Sequence, residues 1–280
     1  KRNAKKQCKM EIKKSINNME SNFPNLTMES TFPDLTFVIP FYYDGEFRFE
    51  NLNCILRILG QFKANVIVVE QGAYQHFTNA DYYFDEAKVN GEYYFIPNYS
   101  VCQGLGIEIF YRTRIINLGL KKVTTQYAAI YDADVFFTPE NYARAYQKLE
   151  EKYSFVYPYD GMFVDVDREF ITTGKASERV SMVTGSYGGA VFLNLNDYRK
   201  IGLENENLIG WAPDDFERHS RADTLGLNIC QIEGKCYHIY HPKVGINPFN
   251  EQNVKEYHKV MNMKEEELRE YVKSWTWSHK

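Results

Sequence analysis

The sequence predicts an α/β fold: a mixed, mostly parallel sheet flanked by helices, with a C-terminal helical tail. Three observations predict it. Residues 35–40 and 66–70 are short, continuously apolar runs stopped by Pro40 or by Gln71-Gly72, the pattern of strands buried on both faces. Helix-length stretches with start and stop signals alternate with such runs. The apolar run 126–131 ends on two carboxylates, Asp132 and Asp134, and strand ends of this kind are where α/β sheets gather ligands.

Residues 1–31 are polar, rich in Lys, Asn and Met, and read as an N-terminal extension. Residues 35–40 are the first strand. A loop over 41–47 leads to a helix over 50–59, closed by Gly60. Residues 66–70 and 93–96 are the next strands. Residues 108–120 read as a helix, and 126–131 as the strand that carries the Asp pair. Thr138 as N-cap and Pro139 at the first position open a helix to 153. Residues 155–159 are a strand, and the polar stretch 160–180 reads as a mobile loop. Residues 186–194 are a strand entered through Gly188-Gly189, followed by a short helix over 196–201. A helix over 213–225 starts with acids and ends at Gly226. Residues 227–232 are a strand, and 254–273 an amphipathic C-terminal helix.

The composition narrows the class. A chain of 280 residues, 44% hydrophobic and 16% aromatic, can build a sizeable core. A formal charge of −4 carries no nucleic-acid signature. No apolar run reaches the ~18 residues of a membrane span, and no signal-peptide pattern is present. The five cysteines are scattered without a CxxC pair, as expected of reduced thiols, which points to a cytoplasmic location. The basic stretch from Lys1 to Lys14 could touch a membrane surface. The chain opens on Lys1, as a piece of a longer protein would. Asn25 and Asn98 head glycosylation triplets, which also arise by chance.

Three clusters carry chemistry. Asp132-Ala133-Asp134 at a buried strand end suits a divalent cation holding a nucleotide diphosphate, since bare acids there are costly; one N-cap and one surface acid is the plainer alternative. Asp214 and Asp215 follow Trp211 and Pro213 at a helix start. The helix dipole alone accounts for acids there, but one of them could take a proton from a hydroxyl, with Trp211 as a flat face for a sugar ring. His238 and His241 lie three apart after a predicted strand, and histidine is a common metal ligand, although core or surface histidines are common too.

In order along residues 35–250, these pieces resemble the metal-dependent glycosyltransferases of the GT-A fold, and within them the β-1,4-galactosyltransferase group. The blocks are Phe37-Val-Ile-Pro40-Phe41, Arg112-Thr-Arg-Ile-Ile-Asn-Leu-Gly119, Asp132-Ala-Asp134, Tyr187-Gly188-Gly189-Ala190, Gly210-Trp211 with Asp214-Asp215, and Gly234-Lys-Cys236 with His241. The chain departs from the pattern at Tyr42, Tyr43 and Asp44, where the family has basic residues, and at Ala212-Pro213, where it has two glycines. Ser186 stands where galactosyltransferases tend to carry an aromatic residue.

The resemblance implies a role for each site residue. Asp134, His238 and His241 would bind the metal, Mn²⁺ or Mg²⁺, with His238 replacing a methionine. Asp215 would be the catalytic base. Pro40, Phe41, Arg112, Asp132, Ser186, Gly188, Gly189, Trp211 and Asp214 would form the donor site, with Arg112 on the diphosphate and Asp214 on sugar hydroxyls. The expected partners are a UDP-sugar donor and a glycan acceptor, with no nucleic acid. The chain then divides into the extension 1–31, one glycosyltransferase domain over 32–250 (nucleotide-binding to 140, acceptor-binding from 141) and a C-terminal helix over 251–280. The 160–180 stretch and the Trp211 region are expected lids. Two rival readings are a metal-dependent nucleotidyltransferase or phosphohydrolase, and a catalytically silent carbohydrate-binding or polymerase-assisting domain.

Overall fold

A computed structural model describes residues 31–102, 106–173, 182–211, 213–242 and 247–277. Nearly all of the expected extension, part of the expected lid at 174–181, and Ala212 lie outside the described residues. The main sheet has seven strands in the order β12-β8-β11-β6-β1-β2-β3. Their ranges are β1 Leu35–Phe41, β2 Asn65–Gly72, β3 Asn90–Pro97, β6 Tyr127–Tyr131, β8 Phe155–Tyr157, β11 Ala190–Asn194 and β12 Ile229–Gln231. Only β11 runs against the others, so the sheet is mostly parallel. β1 and β6 are buried along their whole length, as their continuous apolar sequences require.

A second sheet has four strands in the order β10-β9-β13-β7. It holds β7 Val135–Phe136, β9 Met162–Val166, β10 Met182–Val183 and β13 Lys235–Ile239. β4 Val101–Cys102 and β5 Ile107–Glu108 form a separate hairpin. The helices are α1 Glu46–Gly60, α2 Ala80–Ala87, α3 Arg112–Leu120, α4 Pro139–Glu150, α5 Arg168–Thr173, α6 Leu195–Lys200, α7 Asp214–Thr224, α8 Asn250–Met261 and α9 Glu265–Lys273. α3 packs on β1 and β2, and α4 on β8 and β11, so the sheet is covered by its own crossovers.

The fold matches the expected class, with local corrections. The stretch 160–180, read as a mobile loop, contains β9 and α5. Val164 and Val166 are buried there while Asp165 is not, the alternation of a half-covered strand. The helix expected over 108–120 begins at Arg112, because residues 107–108 pair with β4. The strand expected over 186–194 begins at Ala190. The helix expected over 254–273 is two helices, because the Lys264 backbone N–H donates to Glu267 Oε2 at 3.1 Å and starts a new one. Asn98 is nearly buried, and its side chain donates to the Ile109 carbonyl at 2.6 Å, so that triplet serves the fold.

Candidate active site

The site starts where β6 ends. The Tyr131 hydroxyl donates to the Val135 carbonyl at 2.8 Å and lies 2.5 Å from the Tyr142 hydroxyl, which pins the turn over Asp132-Ala133-Asp134 from beneath. The Asp132 N–H donates to the Gly189 carbonyl at 2.8 Å. β13 pairs antiparallel with β7, with His238 opposite Val135, and the Ile239 N–H donates to the Asp134 carbonyl at 2.7 Å. This register carries both histidines over Asp134. His241 Nε2 lies 3.3 Å from Asp134 Oδ2, and His238 Nε2 lies 3.8 Å from Asp134 Oδ1.

One donor atom from each of Asp134, His238 and His241 lies within 4.8 Å of the other two. Around an ion with bonds of about 2.1 Å, adjacent donors sit about 3 Å apart and opposite ones about 4 Å. A small closure would therefore seat a divalent cation, and the residues fit the implied metal. Burial disfavours charge on Asp134, yet hydrogen bonds from His238 and His241 and the charges of His238 and Arg48 hold its carboxyl well below the usual range. Burial also works against a charged His238, but Asp134 and Asp165 outweigh it and lift the imidazole to about 9.

Arg48, on the first turn of α1, answers the negative charge of this site. Its Nη1 lies 2.5 Å from Asp134 Oδ2 and its Nη2 lies 3.1 Å from Asp44 Oδ2. The loop after Phe41 carries no basic residue before the helix, and Arg48 brings a guanidinium to the site from the helix itself. No short motif marks it, and sequence reasoning missed it.

A cleft of about 90 Å³ opens beside the cation site, lined by Pro40, Tyr42, Arg48, Phe110, Arg112, Asp132, Ala133 and Trp211. Arg112 enters from the first turn of α3, with Nη2 2.5 Å from Asp132 Oδ1 and Nη1 on Asp214. Arg218 reaches the same Asp214 carboxylate at 3.3 Å. Trp211 is 45% exposed at the mouth. Phe41, in contrast, is fully buried in the core, so its side chain does not reach the cleft.

Asp215 faces the Gly188-Gly189 turn. A Cβ at Gly188 would lie 2.6 Å from Asp215 Oδ2, so only glycine allows this approach. Gly189 has φ +79°, and a Cβ there would lie 3.1 Å from Cys236 Sγ and 3.2 Å from Phe163 and Val135 of the second sheet, so the turn suits glycine. The Ser186 hydroxyl accepts from the Gly188 N–H at 3.1 Å, and the Tyr159 hydroxyl donates to the Gly188 carbonyl at 2.5 Å. Tyr187 stacks on His219 with ring centroids 3.7 Å apart. Burial pushes Asp214 up to about 7, against Arg112, with Asp215 adding to the rise. Burial also raises Asp215, against Arg218 and Arg112.

The structure thus gathers Asp134, His238 and His241 at one point, and Pro40, Arg112, Asp132 and Trp211 around one cleft. Asp214 joins them through Arg112, and Asp215 meets Gly188. The chain matches no known family model and no curated protein. Solved structures do resemble it. GalNAc-T7, crystallised with UDP, GalNAc and Mn²⁺, superposes with a TM-score of 0.59 at 14% identity, over 85% of this chain and 50% of its own. S. aureus TarS superposes with a TM-score of 0.54 at 12% identity, over 86% of this chain and 42% of its own. The fold is that of the GT-A glycosyltransferases. The chain spans about half the length of the structures it matches. Among the described residues, no helix of this GT-A fold is long and apolar enough to cross a membrane.

Proposed function

We propose that this protein is an inverting, metal-dependent glycosyltransferase of the β-1,4-galactosyltransferase kind, moving galactose or N-acetylgalactosamine from a UDP-sugar to a glycan hydroxyl. The observation that carries the reading is the meeting of a three-residue cation site with a cleft lined by two guanidiniums, one of which, Arg112, pairs with Asp214 and feels the charge of Asp215 next to it. Asp134, His238 and His241 would hold Mn²⁺ or Mg²⁺, which when bound supplies Lewis-acid stabilisation to the leaving diphosphate. Mn²⁺ is the ion with which GalNAc-T7 was crystallised. Arg48 and Arg112 bind phosphate oxygens, for which the guanidinium fork is well shaped. Tyr42 and Phe110, with ring centroids 5.2 Å apart, offer an aromatic wall to the nucleobase. Asp215 takes the proton of the acceptor hydroxyl, whose oxygen attacks the anomeric carbon from the face opposite UDP. A carboxyl raised by burial is the stronger base. Asp214, tied to Arg112 and Arg218, holds sugar hydroxyls instead.

Ser186 leaves room for an acetamido group where the resembled galactosyltransferases place an aromatic ring, and its hydroxyl can pair with the amide. A buried amide left unpaired costs roughly 1–3 kcal/mol, enough to set the donor preference. The test is Mn²⁺-dependent hydrolysis and transfer with UDP-GalNAc and UDP-Gal. UDP-GalNAc is expected to be used at least as well, and Ser186→Tyr to shift kcat/KM toward UDP-Gal. Failure to hydrolyse any UDP-sugar with Mn²⁺ present would sink the transferase reading. An unchanged ratio in the tyrosine variant would sink only the donor assignment.

A further inference from the structure

We propose that Asp165 is a positioning residue of the metal site, holding the His238 imidazole in the one tautomer that can bind a cation; this rests on the metal reading above. Each histidine of the site has two ring nitrogens, and a cation needs the lone pair on the one that faces Asp134. In both rings that atom is Nε2. The ring is set correctly only when Nδ1 carries the proton, and the tautomer follows from what Nδ1 bonds. For His241 the nearer contact is local, since Nδ1 lies 3.0 Å from the Pro242 carbonyl, which can only accept, with Arg48 Nη2 farther off at 3.4 Å. For His238 the partner comes from a different strand. β9 and β13 are parallel neighbours, and their register places Asp165 opposite His238. His238 Nδ1 donates to Asp165 Oδ1 at 2.7 Å, the length of a charge-assisted bond. The Phe163 ring, with its centroid 5.2 Å from that of His238, limits the imidazole on one side.

A carboxylate behind a metal-binding imidazole fixes its orientation and makes it a better donor. β9 is therefore part of the site, although none of its residues is among the three cation ligands. Strand pairing sets the geometry, so no contiguous motif reveals it.

The test is Mn²⁺ affinity of the full chain without nucleotide, by titration of free Mn²⁺ in electron paramagnetic resonance, for wild type, Asp165→Asn, Asp165→Ala and His241→Ala. Removing such a partner typically weakens metal affinity about 10–100-fold. Asp165→Ala is expected in that range, and Asp165→Asn, nearly isosteric and still able to accept, is expected to lose less. Both variants should keep the wild-type melting temperature in EDTA, which separates positioning from folding. In ¹⁵N-histidine spectra of the Zn²⁺-loaded protein, a slowly exchanging Nδ1 proton at His238 should be present in wild type and lost in Asp165→Ala. Wild-type Mn²⁺ affinity in Asp165→Ala, with binding abolished in His241→Ala, would overturn the role of Asp165 alone. Unchanged affinity in His241→Ala would overturn the metal site itself, and Asp165 with it.

Discussion

In the proposed mechanism the chemistry turns on Arg48 and Asp215. Arg48 pairs with Asp134 at 2.5 Å, so any cation on that carboxylate shares it with a guanidinium. Two unit charges about 4 Å apart interact by about 4 kcal/mol at the dielectric typical of protein surfaces, and a divalent ion doubles the repulsion. A diphosphate entering between the two converts that repulsion into two attractions. The nucleotide-free protein should therefore bind Mn²⁺ weakly, and metal and UDP should bind cooperatively. Arg48→Ala is expected to bind Mn²⁺ more tightly than wild type without UDP, and UDP more weakly with Mn²⁺; calorimetry in both orders measures this. Weaker Mn²⁺ binding in the nucleotide-free variant would rule the competition out. For Asp215, the direction of its titration sets the pH dependence. A base must be ionised to act, and burial raises both Asp215 and Asp214 above the ordinary carboxylate value of about 4. Transfer should therefore fall as pH drops through the raised values, leaving an acid limb in kcat/KM above the usual carboxylate range. Asp215→Asn is expected to lose about 10²–10⁴-fold in transfer while still binding UDP and Mn²⁺. A rate that stays flat down to about pH 4, or an asparagine variant within a few-fold of wild type, would remove Asp215 as the base.

At the scale of elements, α3 shows how close packing positions a functional group. Its first residue is Arg112, and at its other end Gly119 lies against the sheet. A Cβ at Gly119 would lie 2.5 Å from Val38 Cγ1 and 3.1 Å from Val69 Cγ2, both fully or almost fully buried. Replacing a helical glycine by alanine ordinarily gains up to about 1 kcal/mol in propensity, whereas overpacking a core costs typically 1–3 kcal/mol. Packing wins, so Gly119→Ala should lower the urea midpoint and, by pushing α3 off β1, weaken UDP binding through Arg112. A midpoint above wild type would show that the sheet yields and propensity decides. The same contrast between local and distant causes explains what the sequence could and could not reveal. β1, β2 and β6 were legible because strands buried on both faces are continuously apolar. α7 was legible from Pro213, the acids of its first turn and Gly226. β9 was not, because its short alternation lies in a polar stretch, and α2 was missed because eight residues are little more than two turns, too few to show a clear period, even with Asn79 at its N-cap. The break between α8 and α9 has no glycine or proline to announce it. The Asp-Ala-Asp turn and the paired histidines were visible as motifs, whereas Arg48 and Asp165 join them only through helix orientation and strand register.

At the scale of the whole molecule, the candidate cation site joins the two sheets. Asp134 lies between β6 of the seven-stranded sheet and β7 of the four-stranded one. His238 and His241 arrive from the far end of the sequence on β13 and just after it. The two sheets also meet at Gly189, whose carbonyl accepts from the Asp132 N–H and where a Cβ would lie 3.1 Å from Cys236 Sγ and 3.2 Å from Phe163 Cε2. A cation bound by all three ligands can be held only when both sheets are folded and in register. It therefore binds the native state in preference to the unfolded chain, and mass action converts its affinity into stability. At a ligand concentration 100 times Kd the gain is about 2.7 kcal/mol. In domains of about 150–250 residues each kcal/mol raises the melting temperature by about 2–4 °C, so a shift of roughly 5–10 °C is expected for saturating Mn²⁺ with UDP over EDTA. Mn²⁺ alone should give less, because Arg48 competes with it. His241→Ala should abolish the Mn²⁺-dependent part, while its melting temperature in EDTA stays near that of wild type, since His241 contributes little to the core. Thermal melts followed by intrinsic fluorescence in EDTA, Mn²⁺, UDP and both together measure all four terms. If Mn²⁺ and UDP leave the melting temperature of wild type where EDTA leaves it, no cation bridges the two sheets.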